Sequence, residues 1–177
     1  MENTQVLIVD DEPGILEALS SFLDTMEGFT SVPVPSASEA LSRLEKQPFD
    51  LVLSDVRMEG MDGYTFLSEL RKKYPNLPVV LITGGPYDYE EGIALGANDF
   101  IRKPFDFMAM KARLLLVLQN ARLINELEQN NRKLEESNGK LREEQKHLMR
   151  LVDSWLTDGV DDSETKRLLT EILKAQK

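Results

Sequence analysis

Cysteine is absent from the 177 residues, which excludes disulfides and thiolate metal sites and suits a reducing compartment. Histidine occurs once, as His147, and none stands near the acidic residues of the first half in the sequence. Long apolar runs are also missing. Stretches such as Leu114 to Leu118 fall far short of the ~20 residues that cross a bilayer. The opening Met-Glu-Asn-Thr-Gln has neither the basic start nor the apolar stretch of a signal peptide, so a soluble, cytoplasmic protein is expected. Positive charge is scarce in one region only: residues 1–104 hold 8 Lys/Arg against 18 Asp/Glu, whereas residues 105–177 hold 13 of each. An acidic globular half argues against nucleic-acid binding, which needs Lys and Arg to neutralise phosphates, and suits a domain that collects a divalent cation.

What the chain does contain is a repeated unit. Val6-Leu-Ile-Val-Asp-Asp11, Asp50-Leu-Val-Leu-Ser-Asp55, Val79-Val-Leu-Ile-Thr83 and Asp99-Phe-Ile-Arg-Lys103 are apolar runs that end in a reactive polar residue. They lack clear alternation, the pattern of strands buried on both faces. A further short strand is expected over Thr30–Val34. Helices are expected between them: from Pro13, a favoured first-turn position, to about Phe22; from a capping box at Ser36–Glu39 to about Lys46; from Asp62-Gly63 to near Tyr74; and around Asp88–Leu95. Alternation of this kind specifies a doubly wound α/β fold, a parallel sheet with helices on both faces.

The fifth helix is expected to run on. From Asp106, a plausible N-cap, no proline or glycine occurs before Gly139, and helical periodicity continues to about Trp155. Leu127, Leu134, Leu141 and Leu148 are seven apart with Trp155 next in phase; Val117, Ile124, Asn131, Asn138, Gln145 and Val152 form the companion row. This is a heptad with leucine at d, the pattern of a left-handed coiled coil, and Asn at a favours a parallel two-stranded state. The competing reading is a helix folded back on the domain before it. Three segments are therefore expected: 1–122, a long helix over 106–156, and a turn with a short helix over 157–177. His147 falls at an outward c position of the heptad and reads as a solvated side chain.

In a parallel sheet the strand-end residues Asp10, Asp11, Asp55, Thr83 and Lys103 meet at one edge, where ligands of such sheets bind. Three carboxylates at close range need a cation or a shared proton. An all-oxygen set suits Mg²⁺ or Mn²⁺. A carboxylate is also a competent nucleophile toward phosphorus, and Lys103 and Thr83 could hold the transferring oxygens.

These residues, with Met58, Met61-Asp62-Gly63, Thr83-Gly84, Gly96-Ala97 and Lys103-Pro104-Phe105, resemble the receiver domain of bacterial two-component response regulators over about residues 4–122. The resemblance implies a flavodoxin-like strand order 2-1-3-4-5 and a phosphoacceptor at Asp55, charged by a sensor histidine kinase or a small phosphodonor. It implies Mg²⁺ held by Asp11, Asp55 and the backbone carbonyl of Arg57, with Asp10 acting mostly through water. It further implies an acyl phosphate bound by Lys103 and Thr83, a switch involving Phe100, and a cis Lys103–Pro104 bond. Four features depart from the family's pattern: Glu59 where proline is usual, Arg57 two residues past the acceptor, Phe100 in place of tyrosine, and a shortened stretch from Thr83 to Gly96 that predicts a short fourth helix.

On this reading the chain is a phosphoacceptor signalling protein rather than an enzyme. It dimerises through the coiled coil and acts on a downstream protein partner or on an output domain that these residues do not include. The alternative is a Mg²⁺-dependent aspartyl phosphatase acting on outside substrates. Such an enzyme needs a second aspartate two residues after its nucleophile, where this chain has Glu12. A zipper that reads DNA is disfavoured because residues 106–126 hold only Lys111, Arg113 and Arg122, far from a dense basic helix.

Overall fold

The apolar runs fold into five strands: β1 (Thr4–Val9), β2 (Phe29–Val34), β3 (Leu51–Asp55), β4 (Val79–Thr83) and β5 (Asp99–Arg102). They alternate with α1 (Pro13–Asp24), α2 (Ala37–Leu44), α3 (Gly63–Lys73), α4 (Tyr89–Ala94) and α5 (Phe107–Asp158). The computed structural model describes residues 3–85, 89–158 and Arg167. All four strand pairings are parallel, and the order is β2-β1-β3-β4-β5. This is the flavodoxin-like doubly wound sheet expected from the sequence.

Successive residues of a strand point to opposite faces, and the sheet accordingly divides its side chains between two cores. Leu7, Val9, Val52, Val79, Leu81 and Phe100 join Ala40, Phe66 and Leu70 on the side of α2, α3 and α4. Val6, Ile8, Leu51, Leu53, Val80, Ile82 and Ile101 join Leu19, Leu23, Met110, Leu114 and Leu118 of α1 and α5. Each buried side chain of this size contributes about 1.5–3 kcal/mol by leaving water. This double burial explains why the strands carry unbroken apolar runs.

The helix starts follow their capping residues. Asp62 accepts from Thr65 N at the start of α3, Ser36 accepts from Glu39 N at α2, and Asp106 accepts from Met108 N at α5. The box at α2 is only half used, because Glu39 pairs with Arg43 at 3.2 Å. Helix α4 is short, six residues, as the compressed Thr83–Gly96 stretch predicts. The chain divides into two compact units, Met1–Ile124 and Asn125–Lys177. In the second, α5 continues to Asp158, two residues into the turn expected from 157; beyond that, apart from Arg167, the turn and short helix lie outside the described residues. Leu127, Leu134, Leu141 and Leu148 are 59–62% exposed along this helix. Among the described residues no helix is long and apolar enough to cross a membrane.

Candidate functional site

Strand order reverses between β1 and β3, because the chain leaves β1 for β2 on one side and returns to β3 on the other. That reversal opens a crevice beyond the carboxyl ends of these two strands. The register sets what lines it. Val9 pairs with Ser54, and Asp55 pairs with Ile82, so Asp10 and Asp55 are neighbours and Thr83 follows on the next strand. Gly63 closes the crevice floor. A Cβ there would collide with the Asp55 carbonyl and lie 2.8 Å from Val56 Cα, so α3 can begin directly against the end of β3 only with glycine.

The cluster is tightly wired. Lys103 Nζ donates to Asp10 Oδ2 at 2.9 Å and stands 3.0 Å from Asp55 Oδ1. The ammonium's third acceptor is Glu12 Oε1 at 3.2 Å. Asp10 Oδ1 accepts from Glu12 N at 2.9 Å, Asp55 Oδ2 from Arg57 N at 3.0 Å, and Asp11 Oδ2 from Glu59 N at 2.9 Å. Asp10 and Thr83 are fully buried and Asp55 is 4% exposed, whereas Asp11, Glu12 and Arg57 lie at the open rim. Lys103 is set in place by its own backbone: its N–H donates to Thr83 O at 2.7 Å, and the Lys103–Pro104 peptide is cis, as the resemblance implied.

Electrostatics follows from this burial. Burial pushes the Asp55 carboxyl above its ordinary range; the Lys103 ammonium opposes that rise and the neighbouring Asp10 adds to it. For Lys103 the largest influence, burial, acts to lower the pKa, but the hydrogen bonds and charges of Asp10 and Asp55 together outweigh it. The ammonium is therefore held charged well past its usual range.

One carboxylate oxygen from each of Asp10, Asp11 and Asp55 lies within 4.8 Å of the others. Oxygens bound at about 2.1 Å to one small cation stand roughly 3–4 Å apart. The set thus fits a single Mg²⁺ or Mn²⁺ with a small adjustment or an intervening water. The Arg57 peptide lies against Asp55, which puts its backbone at the same rim.

Of the residues singled out from sequence, Asp10, Asp55 and Lys103 are brought into direct contact, with Asp11 within ligand distance of the two aspartates. Thr83 is at the adjacent strand end, its hydroxyl donating to Gly85 O across 3.4 Å, a long contact that yields readily to a stronger acceptor. Phe100 is buried under α4. It meets the Tyr89 ring edge-on at 4.9 Å, and Gly92 is required above it, since a Cβ would strike the Phe100 ring and lie 3.0 Å from Tyr64. Sequence reading missed one participant in the site and one structural tie at the opposite, amino-terminal edge of the sheet. Glu12 is the participant. Arg71 is the tie: its guanidinium donates to Gly96 O (2.6 Å), Leu77 O (2.7 Å), Tyr74 O (3.2 Å) and Asn98 Oδ1 (3.1 Å), tying the end of α3 to the turn before β5.

A parallel sheet of this order, with an acid triad and a lysine at its switch point, defines the receiver class of signalling domain. The profile of the response regulator receiver domain matches residues 6–115, and the chain belongs to this family. It is 44% identical over 108 residues to the response regulator protein FleR of Pseudomonas aeruginosa, covering 60% of this chain and 23% of that protein. It is 34% identical over 126 residues to the response regulator GtcR of Aneurinibacillus migulanus, covering 70% and 51%. Among solved structures it resembles the signal receiver domain of an HD domain-containing protein from Pseudomonas fluorescens, with a TM-score of 0.64 and 27% identity, covering 71% of this chain and 94% of that one. The chain thus spans a quarter to a half of the length of these two curated relatives.

Proposed function

We propose that Asp55 is the phosphoacceptor of this receiver and that the unit behind it relays the change through a dimeric coiled coil. A carboxylate oxygen of Asp55 attacks phosphorus. The bond from phosphorus to the donor breaks, a P–N bond for the phosphohistidine of a sensor kinase or a P–O bond for a small acyl phosphate. The electron pair leaves with the donor. Mg²⁺ held by Asp10, Asp11, Asp55 and the Arg57 carbonyl would supply positive charge to the phosphoryl oxygens. Lys103 supplies a second cation and Thr83 a hydroxyl. The observation that carries this reading is the Lys103 ammonium, seated at 2.9 and 3.0 Å between buried Asp10 and buried Asp55.

Phosphorylation adds about −1.5 to −2 charge. Movement of Thr83 toward the new phosphoryl oxygens would alter the packing of Phe100 beneath α4 and so the face made by α4, β5 and α5. The segments that act are the receiver over 1–122, the helix over 106–156 and the residues 157–177 after it. The exposed leucine row of α5 suits a second copy of the chain in parallel, where Asn131 and Asn138 each meet their own counterpart. The receiver acts in the cytoplasm and passes the switch to a protein partner or an output domain, without direct DNA contact by the sparsely basic helix itself. The phosphatase alternative is weakened by Glu12: its carboxylate is engaged with Lys103 at 3.2 Å instead of standing free as a general acid. The test is uptake of labelled phosphoryl from an acyl phosphate with Mg²⁺. Asp55→Asn abolishes uptake on this account, and undiminished labelling of that variant refutes it. Many turnovers per chain on a generic phosphate ester would favour the phosphatase.

A further inference from the structure

An ammonium has three N–H donors, and all three on Lys103 have acceptors within 3.2 Å: Asp10 Oδ2, Asp55 Oδ1 and Glu12 Oε1. Two of these carboxylates are buried partners fixed by the strand register. The third is different. Glu12 is two-thirds exposed, sits just ahead of α1, and makes no side-chain cap to that helix. Its carboxylate is therefore not needed to start α1, and its backbone already serves there by accepting from Ile15 and Leu16. What its side chain does is occupy the outward N–H of the one lysine at the site.

We propose that Glu12 is a positioning residue that restrains Lys103 before phosphoryl transfer and so sets how fast Asp55 is charged. This rests on the reading of Asp55 as phosphoacceptor. The incoming phosphoryl group is anionic and must draw at least one N–H of Lys103 to its own oxygens. Glu12 competes for that N–H and places a negative charge beside the approach. Release of Glu12 needs no rearrangement of the fold, because the side chain only turns into the water that already surrounds it. Lys103 itself stays anchored through its backbone bond to Thr83 O. The carboxylate thus acts on the rate of charging through Lys103, and leaves the acceptor and the acid triad unchanged.

The test uses the full chain at saturating Mg²⁺ with acetyl phosphate as donor, comparing wild type with Glu12→Gln. Removing one partly screened charge next to an anionic donor speeds uptake about three-fold at low ionic strength, and the gap narrows at about 0.5 M salt. Without donor or Mg²⁺, the side-chain nitrogen resonance of Lys103 shifts in Glu12→Gln, which a residue acting only on helix stability would not cause. If wild type and variant charge at equal rates on Asp55, the inference fails while the phosphoacceptor reading stands. A slower variant, or a gain that is the same at both salt levels, also overturns it. If neither protein is charged but both are folded, the phosphoacceptor reading fails and this inference with it.

Discussion

Lys103→Met removes the cation that joins Asp10 and Asp55 and leaves two buried carboxylates without it. Breaking a fully buried pair by deleting one partner costs about 3–5 kcal/mol. Here the lysine side chain is 17% exposed, so the smaller loss of about 2–3 kcal/mol is expected at neutral pH. In urea, with slopes of about 1–3 kcal/mol per molar for small domains, the midpoint falls by roughly 1–2 M. The measurement is equilibrium unfolding of both proteins in chelator and in excess Mg²⁺. A cation bound by the folded state adds RT ln(1 + [L]/Kd), about 2.7 kcal/mol at a hundredfold excess over Kd. The variant, with its acids no longer neutralised by lysine, gains more from Mg²⁺ than wild type does. The difference in chelator also shrinks in acid, as the buried Asp55 carboxyl takes up its proton. Equal stability of the two proteins in chelator would refute the reasoning, as would a smaller Mg²⁺ gain in the variant.

Three further outcomes follow from the same structure. Because burial raises the Asp55 pKa, the folded state favours its neutral form; that contribution is present below the ordinary carboxylate value and is lost as pH rises through the raised one. Asp55→Asn is therefore more stable than wild type at neutral pH in chelator, and thermal melts show the advantage vanishing as pH falls to about 4. Arg71→Ala strips the donors from the carbonyls of Gly96, Leu77 and Tyr74 and costs about 2–4 kcal/mol in urea unfolding, with Arg71→Lys recovering only part because an ammonium lacks the planar fork. Leu134→Ala with Leu141→Ala weakens association by at least ten-fold in light scattering, while leaving the folded receiver's urea midpoint in place.

The architecture was readable because burial on both faces forces unbroken apolar strands, and because turn and cap residues mark where each ends. The site was readable for the same reason: Asp10, Asp11, Asp55, Thr83 and Lys103 each follow an apolar run, and the parallel sheet brings such ends together. Boundaries slipped where side chains replace ladder partners. Strand β3 begins at Leu51 rather than Asp50: the Asp50 N–H still donates to Gln5 O at 2.9 Å, but Gln5 N donates to the Asp50 carboxylate at 2.7 Å in place of a backbone carbonyl. Glu12 and Arg71 were hidden for a different reason. A glutamate ahead of a helix, and an arginine in a helix's last turn, each have an ordinary local explanation. Their partners lie 91 and 25 positions away and are supplied by other strands and turns. No local spacing signals such a contact, although the excess of acid over base around one lysine was a hint that it is shared.

Incubating the full chain with an acyl phosphate and Mg²⁺, then mapping the modification by peptide mass, tests the central claim most directly. The account predicts one phosphoryl group per chain, carried on the carboxylate of Asp55 and absent when Mg²⁺ is chelated. A phosphoryl group found on any other residue, or uptake that is indifferent to the chelator, would contradict it.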